Sequence, residues 1–191
     1  EKCKIISSFS DESFVIKSIS LVESSNYKSN LIGLLSDENV KLSLLSTVDD
    51  YYKVGIIESF SLEKTKLEGI KLLKSDHSKA NIIKSFNDKS LFEQGLALID
   101  SDYSKRQLIM ALDDDLDKYN LLKYIKHDSD KSYIISSLKD DLLKKNSLST
   151  LSNDSDKARI ISTLNSDEYK YELLSELSNE YYKVSVIASI K

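Results

Sequence analysis

The segment Asp154–Leu164, Asp-Ser-Asp-Lys-Ala-Arg-Ile-Ile-Ser-Thr-Leu, decides the fold, because nearly all of the 191-residue chain can be written as imperfect copies of it. Counting back from Leu164 in thirteens lands on Leu151, Leu138, Ile125, Leu112, Ile99, Phe86, Leu73 and Phe60, and counting forward lands on Leu177 and Ile190. Every landing residue is apolar. One step of twelve, from Val48 to Phe60, absorbs a deletion, and thirteens resume through Leu35, Val22 and Phe9. Self-similarity at a fixed short period is the signature of a stacked repeat.

Apolar residues also stand three and four places before most landing points, as Ile160 and Ile161 before Leu164 or Leu121 and Leu122 before Ile125. This spacing puts all three on one stripe of a helix. Units open with Ser, Asp or Asn, as in Ser36-Asp37, Asp100-Ser101-Asp102 and Asn153-Asp154-Ser155-Asp156. Such side chains satisfy the unbonded N–H groups of a helix start. Each thirteen therefore reads as a helix of roughly ten residues and a turn of about three. Helices this short are marginal alone and need neighbours to cover their stripes.

Units alternate in type. One set carries Leu31, Ile56, Ile82, Leu108, Ile134, Ile160 and Val186 four places before the landing point, with small residues such as Ser59, Ser85, Ala111, Ser137 and Thr163 just ahead of it. The intervening set is looser, with Ser18, Gly69, Gly95 and Ser147 at the first of those positions. The full repeat is thus about 26 residues, two antiparallel helices per layer.

Seven places before the landing point runs a lysine column: Lys28, Lys41, Lys53, Lys66, Lys79, Lys105, Lys118, Lys131, Lys144, Lys157, Lys170 and Lys183, after Lys2. Only Val15 and Phe92 interrupt it, and both are apolar. A spacing of seven places the lysine at the margin of the core. A cation in the first helical turn opposes the helix dipole by roughly 0.3–1 kcal/mol, so a partner is expected. Turn aspartates supply one, and the pattern predicts a structural ladder of Lys53, Lys79, Lys105, Lys131, Lys157 and Lys183 with Asp76, Asp102, Asp128 and Asp154.

Composition sets further bounds. The chain is 40% hydrophobic and 30% charged, enough for a folded core, and contains no proline. Gly33, Gly55, Gly69 and Gly95 all fall inside expected helices, where they read as points of close helix approach. Net charge is −4 with pI about 5.3, against a bulk polyanion partner. No apolar run approaches the ~18–20 residues of a membrane span. A single cysteine, Cys3, excludes an internal disulfide. The chain opens in mid-unit and closes without a polar capping helix, which predicts a piece of a longer array.

Catalytic chemistry has little support. His77 and His127 fall in expected turns two layers apart, which at layer spacing is about 20 Å, too far to share a metal or substrate. Cys3 has no histidine neighbour, and no glycine-rich turn precedes a helix to cradle phosphate. Asp113-Asp114-Asp115-Leu116-Asp117 lacks the glycine and terminal Glu of a calcium loop and reads as a capped turn. No cofactor or metal is called for. Of eleven tyrosines, seven recur at helix starts, Tyr27, Tyr52, Tyr169 and Tyr182 in one register and Tyr51, Tyr103 and Tyr181 in the adjacent one, which predicts packing between layers, whereas Tyr119, Tyr133 and Tyr171 lie elsewhere and are freer to serve recognition. On the first helix set the variable positions project from successive layers, and Arg106, Gln107, Tyr133 and Arg159 are the candidate partner-binding residues there.

The units Asp102-Tyr103-Ser104-Lys105 with Leu108-Ile109-Met110-Ala111-Leu112, and Asp154 through Leu164, resemble the second helix of HEAT-type repeats. The phrase Ser-Asp-Tyr-x-Lys followed by an apolar pair and Ala/Ser-Leu is also similar to bacterial extracytoplasmic HEAT-like regions, including some attached to membrane metallopeptidases. The layer is shorter than the usual HEAT unit, and no His-Glu-x-x-His motif is present, so peptidase activity is not implied. What the resemblance implies is protein-binding scaffolding. The expected architecture is a single continuous all-α right-handed solenoid of about fifteen short helices, seven layers spanning roughly 65–70 Å. The expected function is a non-catalytic scaffold for a protein or peptide. A regulatory or sensory region of a larger enzyme or membrane protein is the alternative, and nucleic-acid binding along the lysines a more distant one.

Overall fold

The structure is a computed structural model that describes residues 11–190. Lys2, Cys3 and Phe9 lie outside the described residues. Among the described residues there are fourteen α-helices and no strand. They are α1 (Glu12–Ile19), α2 (Ser25–Gly33), α3 (Glu38–Leu44), α4 (Asp50–Glu58), α5 (Glu63–Ile70), α6 (Asp76–Ile83), α7 (Lys89–Ala97), α8 (Asp102–Met110), α9 (Asp115–Leu121), α10 (Asp128–Ser136), α11 (Asp141–Ser147), α12 (Asp154–Ser162), α13 (Asp167–Glu172) and α14 (Glu180–Ile187). Two compact units divide the chain, Glu1–Asp100 and Ser101–Lys191.

Each unit stacks its helices in two alternating rows. In the first unit α2, α4 and α6 form one row and α3, α5 and α7 the other. In the second unit α8, α10, α12 and α14 follow one another along the first row, and α9 packs on α11 in the second. A helix therefore touches both its sequence neighbour and the helix 26 residues on. Second-row helices α3, α9, α11 and α13 close with a tightened 3₁₀ turn, at Leu45–Thr47, Leu122–Tyr124, Leu148–Thr150 and Leu173–Glu176.

Most landing residues form the core: Val22, Leu35, Val48, Phe60, Leu73, Phe86, Ile99, Ile125, Leu138, Leu151, Leu164 and Leu177 are buried, whereas Leu112 and Ile190 are half-buried. In the first row the residue three places earlier is the most enclosed of all, and Ile32, Ile57, Ile83, Ile109, Ile135 and Ile161 are each 0% exposed. Most helix starts are capped as their composition dictates. The side chains of Asp11, Asp37, Ser75, Asp88, Ser101, Asp114, Asp140, Asn153, Ser166 and Asn179 each accept a first-turn N–H. Asp114 caps α9 and Asp115 bonds the next layer, which accounts for two carboxylates of the acidic run.

Three sequence expectations need correction. Gly69 and Gly95 are indeed close-approach points, where an added Cβ would stand 2.7 and 2.8 Å from Ile57 and Ile83. Gly33 and Gly55 are not, since a Cβ there would meet nothing within 4 Å. The tyrosines at helix starts do not all fill gaps between layers: Tyr27, Tyr51, Tyr103 and Tyr181 are 53%, 83%, 60% and 75% exposed. His77 sits in the first turn of α6, inside the helix, whereas His127 occupies the N-cap of α10.

Candidate functional site

Two sets of bonds repeat from layer to layer and hold the surfaces in register. In the first, a carboxylate in the opening turn of one helix accepts from backbone N–H groups in the turn about 24 residues later. In the first unit Glu12 holds Ser36 N–H, Glu38 holds Ser61 N–H, Asp50 holds Lys74 N–H, Glu63 holds those of Asn87 and Asp88, and Asp76 holds Asp100 N–H. In the second unit Asp102 holds Lys126 and His127, Asp115 holds Lys139 and Asp140, Asp128 holds Ser152, Asp141 holds Asn165 and Ser166, and Asp154 holds Ser178 and Asn179. Each acid thus serves its own helix N-terminus and that of the helix one layer on, and both dipoles favour it.

The second set belongs to the lysines. Lys53, Lys79, Lys105, Lys131, Lys144, Lys157 and Lys170 each donate to a backbone carbonyl nineteen residues later, at the C-terminal end of the next helix. The cation that opposes its own helix dipole is placed at the favourable end of its antiparallel neighbour's. Lys53–Asp50 (2.7 Å), Lys79–Asp76 (3.3 Å), Lys131–Asp128 (3.8 Å) and Lys183–Glu180 (2.8 Å) add a carboxylate three residues back. Lys105, Lys118, Lys144 and Lys170 are buried, as are Val15 and Phe92 in the same column. These residues build the layers.

The exposed face of the first row is different in kind. Among the described residues, Tyr27 and Tyr51 lie on this row in the first unit and Tyr103, Tyr133 and Tyr181 on the corresponding row in the second, where Tyr171 is the one exposed tyrosine of the other row. In the second unit the side chains organise into a stack. The Arg106 guanidinium lies 5.0 Å from the Tyr103 ring centroid and 4.7 Å from that of Tyr133, and the Arg159 guanidinium lies 4.9 Å from Tyr133. Successive helices α8, α10 and α12 supply Arg106, Tyr133 and Arg159, so the repeat spacing itself brings them together. Asp130 anchors Arg106 at 2.8 Å, and the buried Ser132 hydroxyl accepts from Arg159 at 3.1 Å. Gln107 is exposed on α8 and makes no ring contact in the stack. Of the four candidate residues, Arg106, Tyr133 and Arg159 are therefore joined. Tyr103 and Asp130 complete the arrangement, and Tyr103, whose register predicts a packing residue, stacks on Arg106 instead.

Next to the stack, Asp102, His127 and Asp130 bring three potential ligand atoms within 4.8 Å of one another, the one group of this kind among the described residues. Asp102 is buried, and its Oδ2 accepts from the N–H groups of Lys126 and His127 and lies 2.7 Å from His127 Nδ1. Burial pushes its carboxyl up, but those N–H groups and the imidazole together hold it below the ordinary carboxylate range. Asp130 is already paired with the Arg106 guanidinium at 2.8 Å.

In the first unit the corresponding face is open. A groove of about 650 Å³ lies between α2 and α4, bordered by Asn26, Asn30, Gly33, Tyr51, Tyr52 and Gly55, with Lys41 at its edge. A second pocket of about 320 Å³ between α4 and α6 is lined by Asp50, Tyr51, Val54, Leu73, Ser75 and Ser78. Tyr51 stands as the ridge between them, its ring edge-on to Tyr52 at 5.1 Å.

Comparison with protein-family models, with curated proteins and with solved structures returns no match.

Proposed function

We propose that this helical-repeat chain is a non-catalytic scaffold whose first-row face holds an extended segment of a partner protein, in keeping with the HEAT-like pattern of its units. The observation that carries this reading is the concentration of exposed tyrosines on one row, coupled in the second unit to two arginines. Tyrosine and arginine offer large rigid faces, stacking and hydrogen-bond donors at small entropic cost, and they dominate the energetics of protein interfaces. Gln107, exposed beside them, supplies an amide for a peptide backbone. A phosphate backbone has less to grip: Lys105, Lys118, Lys144 and Lys170 are buried, and all but Lys118 are tied to carbonyls.

A photocrosslinking residue at Gln107, compared with one at Leu142 on the second row, tests the proposal in cells of the source organism. A discrete protein adduct from Gln107 alone, lost in Tyr133→Ala and Arg159→Ala variants of unchanged helicity, is the expected result. Equal adducts from both rows, or an adduct indifferent to Tyr133 and Arg159, would overturn it.

A further inference from the structure

The two units carry the same surface at different stages of completion. Residues 52 apart share a register position, so Tyr51 corresponds to Tyr103, Val54 to Arg106 and Ser78 to Asp130. In the second unit Arg106 lies beside the Tyr103 ring and against Asp130. In the first unit Val54 has no guanidinium to give, and the corresponding space is the 320 Å³ pocket lined by Tyr51, Val54, Ser78 and Asp50. Tyr51 is 83% exposed where Tyr103 is 60%.

We infer that this pocket is a seat for an arginine side chain of the bound segment, which completes from outside the arrangement that Arg106 completes from within. The inference rests on the scaffold reading and adds to it the chemistry of one position in the partner. A guanidinium entering over Tyr51 gains the ring's negative face, with the apolar Val54 and Leu73 side chains against its stem. Asp50 lines the pocket and brings a carboxylate shared with Lys53, whose ammonium stands 2.7 Å from its Oδ1; the Lys53 ammonium first, then the Lys74 N–H, keep that carboxyl below the ordinary aspartate range. Ser75 and Ser78 put hydroxyls on the opposite wall, where the second unit carries His127 and Asp130. Asp49, exposed at the N-cap of α4 with no cap bond from its side chain, adds a second negative charge next in sequence to Asp50.

The probe is the capped tripeptide acetyl-Gly-Arg-Gly-amide, titrated into the full chain and followed by NMR at the Tyr51 ring and Val54 methyls. Saturable shifts there are expected, weakened about two- to fivefold by Tyr51→Ala, as an exposed cation–π contact implies. The citrulline and lysine analogues should bind several-fold more weakly. The double variant Val54→Arg with Ser78→Asp places an internal guanidinium beside Tyr51 and against a carboxylate, as Arg106 lies beside Tyr103 and against Asp130, and should abolish the shifts while leaving the fold intact. Absence of saturable shifts, equal response to the citrulline peptide, or undiminished binding by the filled variant would overturn the inference. Crosslinking from Gln107 reads the scaffold proposal independently, so either can fail alone.

Discussion

Gly69 and Gly55 sit in successive helices and differ in what surrounds them. An added methyl at Gly69 would meet Ile57 Cγ1 at 2.7 Å, close to the backbone of a fully buried side chain that has nowhere to turn. Gly69→Ala is expected to cost about 1–3 kcal/mol through overpacking. Gly55→Ala meets open space and should stabilise by about 0.5–1 kcal/mol, because glycine in a helix interior gives up more backbone freedom on folding than alanine. Urea denaturation of the two variants checks both signs. Sequence alone treats the glycines alike, since it shows that each is inside a helix and not what lies across from it. The exposed tyrosines at helix starts depart from their expected packing role for the same reason: a recurring register position shows that a layer repeats, without saying which side of the layer faces water.

At the scale of the element, helix positions were legible because three independent signals coincide: the apolar triplet, the capping residue and the unbroken count of thirteen. Three-ångström detail was not. The acids of the opening turns bond to backbone N–H groups, which every residue but proline possesses, so nothing in the composition marks Ser36 or Lys74 as the receiving end. The candidate stack was half legible. Arg106, Tyr133 and Arg159 stand out as departures from small residues, but Asp130 looks like one more turn acid until α8 and α10 are side by side. The lysine bonds yield a prediction for one element pair. Lys144 is 4% exposed and donates to Thr163 O at 2.9 Å. Lys144→Met keeps the stem's bulk and removes the donor, with an expected loss of about 1–3 kcal/mol from an unmet charge-assisted bond. Thermal unfolding that is unchanged, or raised, would show that bond to be worth nothing.

For the molecule as a whole, the carboxylate bonds set an acid limit. Burial opposes ionisation of Asp102 and Asp115, yet the N–H groups they hold bring both below the ordinary aspartate value of 3.8. The Ser152 hydroxyl does so for Asp128, and the Asn179 N–H for Asp154. A carboxyl with a lowered folded pKa contributes stability that is whole above its unfolded value and drains as pH falls through the folded one. The melting temperature is therefore expected to be level from pH 7 to about 5 and to drop below about 4, with a shallower drop in an Asp115→Asn, Asp128→Asn variant. Melting curves recorded across that range decide it. The same bonds reverse a common expectation about solvent. Amides in short surface turns ordinarily trade their hydrogens with water quickly, but here the turn amides of Lys126, His127, Lys139, Asp140, Ser178 and Asn179 are clasped by an acid from the layer before. Deuterium should enter those turns only when adjacent layers part, so the slowest loops of this chain would keep time for the separation of its floors.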